Sequence, residues 1–391
     1  MKNDNRSCPI CFSFQKRLLY NQIFYDDNDI GLVSGYRVVV CQKCGFAFAD
    51  NIPEQKDFNH YYAKMSKYEF NDHEGRASRA HFNHYSNMVN YIIPHVPDRD
   101  ARILDIGCST GGLLWIFKSQ GYSQLKGIDP SPLCVRTARK LYGLDVSVDD
   151  IANYSAARKY DVVILSATLE HLAAINESIE KIRSLMSDTG LLFIEVPDTE
   201  RFDAYITAPF QQFSVEHINY FSRISLKNFL SRHFFEVFDV KQEKRTFAKA
   251  VDPDIFVLAR KARQGNREVI KDNISEAAIK RYIEKCLKFD SEIKKNLRDK
   301  LSGIPEVIVW GVGTHTQRLL GSGLDPKKIV SFVDSNERYA GKKLNGIEIM
   351  MPQSIQRQDI PIFISTHTYQ DEITHQIREG LKLSNDIITV Y

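Results

Sequence analysis

The chain has 391 residues, of which 43% are apolar, and 52 Lys and Arg against 49 Asp and Glu give a net charge of +3. This length predicts about two or three domains with apolar cores. The balanced charge argues against nucleic acid as the main partner, since proteins that bind nucleic acid usually carry a strong excess of basic residues. The sequence has no run of the roughly twenty apolar residues that a membrane helix needs, so we expect a cytoplasmic protein.

Residues 1–55 predict a zinc module. Two Cys-x-x-Cys pairs, Cys8 with Cys11 and Cys41 with Cys44, can turn four sulfurs toward one point and form a tetrahedral Zn²⁺ site. Iron is the alternative metal. Disulfides are less favoured, because the sequence starts with polar residues and no apolar signal segment. Four thiolates leave no coordination position for water or substrate, so we expect a structural metal.

The next two segments predict an α/β fold. Residues 56–98 are rich in Tyr, His, Asn and Phe and predict a helical connecting segment. Residues 99–262 alternate short apolar strands with helical stretches, which is typical of a doubly wound parallel sheet closed by antiparallel strands. The strands of this domain are predicted at residues 102–106, 124–128, 160–165, 190–196, 234–241 and 255–260.

The rest of the chain predicts a helical linker and a second α/β domain. Residues 263–302 are charged with apolar positions at helical spacing, and residues 303–391 predict a Rossmann-like unit. Its Gly311-x-Gly313 turn resembles half of a dinucleotide site, but Thr316 replaces the third glycine. The turn could hold a nucleotide-sugar diphosphate, NAD or no ligand. Strands are predicted there at residues 307–310, 329–334, 361–366 and 387–391.

The turn after the first strand of the central domain predicts a nucleotide-binding site. A strand containing Asp105 runs into Gly107-x-Ser109-x-Gly111 and then a helix. Glycines let the backbone approach a ligand, and the helix start offers free N–H groups. A carboxylate two residues before the first glycine would repel a pyrophosphate but attract the amino group of an amino-acid cofactor. This favours S-adenosylmethionine (SAM) over NAD.

Two further acids fit a SAM site. Asp129 ends the next predicted strand, roughly twenty residues past the turn, where a carboxylate can accept hydrogen bonds from ribose hydroxyls. Asp150 could accept from the adenine amino group, or it could be a solvated loop acid. Over residues 100 to 260 these motifs resemble the class I SAM-dependent methyltransferases, which implies that the domain holds SAM.

Two Glu-His pairs follow strands of the predicted sheet. They are Glu170-His171 and Glu216-His217, and both fall where the ligand crevice of an open α/β sheet lies. A histidine that titrates near neutrality is a natural general base, and an adjacent carboxylate can orient it. The alternative is that these histidines cap a helix or fill a polar pocket.

The order of the modules resembles one family in particular. Together with the segment Glu216-His217-Ile218-Asn219-Tyr220-Phe221, it is similar to bacterial methyltransferases that add a carbon-bound methyl group to nucleotide-linked deoxysugars. The resemblance implies that His217 removes the proton beside a sugar ketone, that Glu216 orients His217, and that Tyr220 lines the cleft. The enolate carbon would then attack the SAM methyl group.

The chain departs from this family in two places. The tyrosine that usually stands two residues before the glutamate is Ser214 here, so the chain must do without it or supply another, such as Tyr61 or Tyr62. The C-terminal turn Gly311-Val312-Gly313-Thr314-His315-Thr316 also differs from that of the family. Oxygen or nitrogen methylation of another small molecule therefore stays open. Two further alternatives are an RNA-binding methyltransferase that uses the zinc module and, least favoured, an NAD-dependent oxidoreductase.

Overall fold

The computed structural model describes residues 6–24, 32–65, 77–247, 250–265, 268–321 and 323–390. Part of the predicted helical connecting segment lies outside these residues. Within the described ranges, no helix has both the length and the apolar character needed to cross a membrane.

The N-terminal module is a small antiparallel sheet followed by two helices. Strands β1 (Lys16–Ile23), β2 (Gly35–Cys41) and β3 (Ala47–Asp50) pair in sequence order. Helices α1 (Gln55–Met65) and α2 (Arg79–Ile92) come next. Ser78 caps α2 by accepting a hydrogen bond from the backbone N–H of His81, which satisfies a donor that the first helical turn leaves unpaired.

The central domain has a seven-stranded sheet with helices on both faces. The strand order is β10-β11-β8-β7-β4-β5-β6, and only β11 runs antiparallel to its neighbours. This confirms the predicted α/β sheet. Its elements are β4 (Ile103–Ile106), α3 (Gly112–Ser119), β5 (Leu125–Asp129), α4 (Pro132–Tyr142), β6 (Val146–Val148), β7 (Tyr160–Ser166), α5 (Ile175–Leu185), β8 (Met186–Pro197), β9 (Asn219–Tyr220), α6 (Arg223–Arg232), β10 (Phe235–Phe247) and β11 (Ala250–Lys261).

Two buried apolar layers hold this sheet. One layer packs α2, α3 and α4 against it, through residues such as Met88, Phe117 and Ala138. The other layer joins α5 and α6 to the N-terminal module, where Phe48 packs with the same cluster as Phe229. Because the parallel strands β4, β5 and β7 end at one edge of the sheet, the loops that follow them meet there.

The short strand β9 links the N-terminal module to the central domain. It belongs to the N-terminal sheet, where Tyr220 pairs with Ala47 and Asn219 with Phe48. The buried guanidinium of Arg6 donates to the Asn219 side chain at 2.8 Å and to the Ile218 carbonyl at 3.3 Å. The segment with the second Glu-His pair is therefore fixed by the N-terminal module.

A long helix joins these parts to the C-terminal domain. Helix α7 (Ser275–Lys300) buries Tyr282 among aromatic residues of the N-terminal module and Leu297 in the C-terminal core. The C-terminal sheet has the order β14-β15-β13-β12-β16-β17. Its elements are β12 (Val307–Trp310), α8 (Thr314–Leu320), β13 (Ile329–Val333), β14 (Lys343–Leu344), β15 (Ile347–Met350), β16 (Ile362–Ile364), α9 (Gln370–His375) and β17 (Ile387–Ile388). We did not predict the β14–β15 hairpin, whose strands are too short to show an alternating pattern.

Candidate functional site

The turn after β4 has the backbone conformation that its glycines predict. Gly107 has φ of +75° and Gly111 of +81°, and Ser109 between them also has a positive φ of 50°. A Cβ added at Gly107 would lie 2.6 Å from Oγ1 of Thr168. Glycine is therefore required at this position, both for the left-handed conformation and for the close approach of the loop after β7.

Asp129 holds this turn in place. One of its carboxylate oxygens accepts a hydrogen bond from the backbone N–H of Ser109 at 2.8 Å. The other accepts from the backbone N–H of Ser131, also at 2.8 Å. The role toward ribose hydroxyls stays a prediction, and the structure adds a role in supporting the turn.

Asp105 lies at the base of the same turn in an acidic environment. Its side chain is 2% exposed. Burial, with the charges of Asp129 and Glu195, raises the pKa of Asp105 to about 8. A cationic ligand beside Asp105 would favour its ionised form, and SAM carries positive charge on its amino group and its sulfur. The residues around this turn therefore fit SAM better than an anionic cofactor.

Asp150 is fixed by neighbours of its own. One carboxylate oxygen accepts from the backbone N–H of Ala152 at 2.9 Å and of Asn153 at 3.1 Å. The other accepts from Nδ2 of Asn59 on α1 at 3.0 Å. These bonds cap a turn and tie it to α1, and the role toward adenine stays a prediction.

The two predicted Glu-His pairs meet at one place. The rings of His171 and His217 have centroids 5.0 Å apart and an interplanar angle of 70°. Nδ1 of His171 lies 3.1 Å from the carbonyl oxygen of Glu216 and 3.1 Å from the hydroxyl of Tyr62. Tyr61 donates to Oε1 of Glu216 at 3.3 Å. Both tyrosines that were predicted to compensate for Ser214 therefore reach this cluster.

Ser214 and Tyr220 form hydrogen bonds to the backbone of the second Glu-His pair. The Ser214 hydroxyl accepts from the backbone N–H groups of Glu216 at 3.3 Å and His217 at 3.2 Å. Tyr220 is 2% exposed, and its hydroxyl donates to the His217 carbonyl at 3.0 Å. Strand β9 turns its ring into the aromatic core of the N-terminal module, and from there Tyr220 supports the turn. Its role toward a substrate stays a prediction.

A charged cluster near the glycine turn was missed by the sequence analysis. Glu195 on β8 lies 2.5 Å from Nε2 of His84 and accepts from the Ser166 hydroxyl at 2.5 Å. Arg245 lies 4.0 Å from Glu195 and 3.8 Å from Asp254. Although burial opposes it, the charges of Asp254 and Glu195 raise the pKa of Arg245. The signal in the sequence was Glu195 within an apolar run of β8, whereas Arg245 and Asp254 lie in strands with several charged residues.

The four cysteines of the N-terminal module come together as predicted. The sulfurs of Cys8 and Cys44 are 3.4 Å apart, as are those of Cys11 and Cys41, and all four lie within 4.8 Å of one another. These separations exceed the roughly 2.05 Å of a disulfide bond and suit ligands arranged around one metal ion. The cluster thus fits Zn²⁺, and zinc itself stays a prediction.

Similarity to known proteins agrees with this geometry. Residues 78–240 match a family model described as a methyltransferase domain, and residues 303–389 match one described as C2185-like, N-terminal. A tRNA U34 carboxymethyltransferase of Vibrio cholerae is 27% identical over 154 residues, which are 37% of this chain and 48% of that protein. A carboxy-S-adenosyl-L-methionine synthase of Campylobacter fetus is 33% identical over 112 residues, 27% of this chain and 47% of that protein.

Among solved structures, the magnesium protoporphyrin IX methyltransferase of Synechocystis PCC 6803 with bound SAM has a TM-score of 0.40 and 15% identity, over 54% of this chain and 98% of that one. The chain spans about half the length of the curated relatives named above. Residues 78–240 of the central domain match a methyltransferase domain. This match supports the predicted SAM-dependent methyltransferase, and SAM is the cofactor that such a domain implies.

Proposed function

We propose that the chain transfers a methyl group from SAM to a small, sugar-like acceptor, with His217 as the base. The observation that carries this proposal is the meeting of both Glu-His pairs beside the glycine turn. Thr168 contacts the turn through its hydroxyl, which donates to the Ile106 carbonyl at 3.1 Å, and Glu170 follows Thr168 by two residues. The candidate base and the cofactor turn are thus neighbours at the same sheet edge.

The chemistry follows from what these side chains can do. SAM supplies an electrophilic methyl group. A carbon or hydroxyl acceptor must lose a proton to attack it, and His217 can take that proton. His171, Tyr61 and Tyr62 can hydrogen-bond oxygens of the acceptor and hold it in line. Glu170 and His171 are 1% and 8% exposed, so the site excludes most water, which strengthens such polar contacts.

A nucleotide-linked acceptor is supported by the position of the C-terminal domain. Burial and the charges of Asp334 and Glu216 raise the pKa of Tyr339, which follows β13. Because the charge of Glu216 acts on it, Tyr339 lies close to the Glu-His cluster. Arg338 next to it donates to the Lys64 carbonyl of α1 at 3.0 Å. Asp334 also accepts a hydrogen bond from Val312 in the C-terminal turn. An acceptor with its sugar at His217 could therefore extend its nucleotide toward this turn.

A second candidate acceptor is tRNA. Relatives named tRNA U34 carboxymethyltransferases favour it, although each match covers less than half of this chain. The net charge of +3 gives little electrostatic attraction for RNA. Bulk tRNA should therefore be tested beside nucleotide-linked ketosugars, and its binding should be measured at several salt concentrations, because phosphate contacts weaken as salt rises.

The test is transfer of a labelled methyl group from SAM to each acceptor by the intact chain and by His217→Ala. We expect SAM affinity to persist in the variant and transfer to fall by about 10² to 10⁴, the usual contribution of a general base. His375→Ala, an exposed position on α9, is the matched control and should transfer normally. Full transfer by His217→Ala would remove the base role, and transfer to tRNA alone would replace the sugar acceptor.

A further inference from the structure

We propose that a groove beside the four-cysteine cluster binds single-stranded nucleic acid, at a site separate from the candidate active site. A cavity of about 470 Å³ is formed by residues of the first cysteine knuckle, of α5 and of the end of α6. The lining residues are Phe12, Glu180, Arg183, Arg232, His233 and Phe234. None of them belongs to the glycine turn or to the two Glu-His pairs, so this site does not rest on the proposed function.

Two phenylalanine rings are exposed at this cavity. Phe12 is 49% exposed and Phe234 is 41% exposed. The guanidinium carbon of Arg232 lies 5.1 Å from the centroid of the Phe12 ring, and that of Arg183 lies 5.3 Å from the centroid of the Phe234 ring. Unpaired bases stack on such rings, and guanidinium groups pair with phosphates. Each pair of side chains therefore offers a partner for both parts of a nucleotide.

The ring of Phe12 stands at a backbone position where the second knuckle has glycine. The backbone N–H of Phe12 donates to the Cys8 carbonyl at 2.9 Å, and φ of Phe12 is +59°. In the second knuckle, Gly45 makes the same bond to Cys41 with φ of +82°. A left-handed conformation favours glycine over a bulky side chain. The exposed ring is thus better explained by binding than by folding.

Phe234 repeats this arrangement just past the end of α6. Its φ is +61°, in the left-handed position where helices commonly end in glycine. A Cβ added at Gly265 would lie 3.1 Å from the ring of Phe234, so the ring packs against the Gly265 backbone. This contact holds the ring in one orientation, which lowers the entropy that a bound base would lose.

The groove is also positively charged. A second cavity of about 260 Å³ is lined by Cys11, Lys43, Cys44, Arg232 and Val269. Because Arg232 borders both cavities, the cations Lys43, Arg232 and Arg183 follow one continuous groove. Among the described residues that line it, Glu180 carries the single carboxylate. Burial and the charge of Arg232 lower the pKa of His233 to about 4, so this ring is uncharged near neutral pH.

The combination of rings and cations selects the ligand. A row of cations attracts any polyanion, including an acidic peptide. Acidic side chains cannot stack on the two phenylalanines, whereas every nucleotide carries both a phosphate and a planar base. The bases must be unpaired to reach the rings, which favours a single strand. The net charge of +3 describes the whole chain and is compatible with a positive groove on one face.

The experiment measures binding of a short fluorescein-labelled oligouridylate to the intact chain by fluorescence anisotropy, at several salt concentrations and without SAM. We expect Phe12→Gly and Phe234→Gly each to lower the affinity about fivefold to a hundredfold, the usual effect of losing one stacked base, with unchanged salt dependence. Glycine suits both backbone conformations, so the melting temperature should stay close to that of the intact chain.

Removing the cations should have a different signature. Arg183→Gln and Arg232→Gln should each reduce the slope of log affinity against log salt concentration by about 0.7, the value for one phosphate contact to a single strand. The matched control is Phe238→Ala. Phe238 is likewise 41% exposed, and the guanidinium of Arg260 lies 4.8 Å from its ring, but it does not line the groove. This variant should bind the RNA normally.

Two outcomes would overturn the proposal on the RNA alone. They are the absence of binding to the intact chain at low salt, and full binding by both Phe12→Gly and Phe234→Gly. Poly-L-glutamate is the competing polyanion. If it binds as tightly as the RNA, the groove accepts an acidic protein segment and the proposal is wrong. No methyl transfer is measured, so each of these results leaves the proposed function untouched.

Discussion

The two glycine turns of this chain share a backbone design and differ in charge. In the central domain, Asp129 at the end of the second strand accepts from the backbone N–H of Ser109 in the turn at 2.8 Å. In the C-terminal domain, Asp334 accepts in the same way from Val312 at 3.1 Å. Each aspartate also accepts from a backbone N–H two residues further along. A strand-end aspartate that holds a glycine turn is therefore a structural device in both domains.

The difference lies two residues before the first glycine. Asp105 occupies that position in the central domain and Val309 in the C-terminal domain, and both are buried. In the second turn, Thr316 is hydrogen-bonded to Ser365 at 2.6 Å instead of facing a ligand. The same backbone thus presents a buried acid in one turn and an apolar side chain in the other. The first turn suits a cationic cofactor, and the second has no acid in its strand to select one.

The largest expected effect comes from removing the metal predicted at the four cysteines. The Cys44 carbonyl accepts from the backbone N–H of Asp272 at 2.8 Å, and the Asp272 carboxylate in turn caps α7 by accepting from Ser275 at 3.0 Å. We expect chelation in reducing buffer to lower the unfolding free energy by on the order of several kcal/mol. Melting should affect the N-terminal module and the start of α7 most, because the cysteines and Asp272 connect these two parts.

SAM affinity, measured by calorimetry on the same chelated sample, should change less than acceptor affinity, because the first turn is held by the central sheet. Restoring zinc should reverse both changes. An equal loss of SAM affinity would contradict the view that the central turn is held independently of the N-terminal module.

The next effect compares matched glycine substitutions in the two turns. In Gly107→Ala, a residue with φ of +75° gains a methyl group 2.6 Å from the Thr168 hydroxyl. In Gly311→Ala, a residue with φ of +106° gains one 2.8 Å from the Ser365 hydroxyl. A left-handed alanine costs about 1–2 kcal/mol before any steric clash, so we expect comparable destabilisation of the two domains.

SAM affinity should distinguish Gly107→Ala from Gly311→Ala. We expect calorimetry to show a loss of SAM affinity of tenfold or more for Gly107→Ala and no loss for Gly311→Ala. Weakened SAM binding in Gly311→Ala would mean that the second turn also contacts the cofactor.

The sequence predicted what depends on local pattern. The parallel strands, the glycine turns and the convergence of four cysteines all follow from spacing within short segments. The pairing of β9 with β3 could not be predicted, because two residues carry no periodicity and their partner is far away in the chain. The same pairing buries Tyr220, and the sequence alone does not show this burial.

The cluster of His84, Glu195, Arg245 and Asp254 could not be predicted from the sequence for a different reason. Glu195 interrupts an apolar run of β8, and Asp254 is one of several charged residues in β11. Neither forms a motif until the sheet places both beside Arg245. The crevice rule for α/β sheets did place both Glu-His pairs at one edge. It could not predict that His171 would donate to the backbone of the other pair, since that contact depends on the exact course of the loop before β9.

The remaining contrast between the two turns is the proton on Asp105. Its pKa is about 8, raised by burial and by the charges of Asp129 and Glu195. Bound SAM favours the ionised carboxylate, so its pKa falls on binding and a proton is released below pH 8. SAM affinity should therefore fall as pH decreases below about 8, by up to tenfold per pH unit, and should level off above it.

Asp105→Asn should flatten this pH dependence and lower the affinity above pH 8 by about tenfold to a hundredfold, the usual strength of a hydrogen bond to a charged group. The matched control is Asp145→Asn, an exposed position after α4 that should keep the full dependence. Any slope that remains in Asp105→Asn belongs to the amino group of SAM itself. An unchanged pH dependence of SAM affinity in Asp105→Asn would mean that Asp105 does not contact SAM. The difference between Asp105 and Val309 would then concern the packing of the two sheets and not ligand binding.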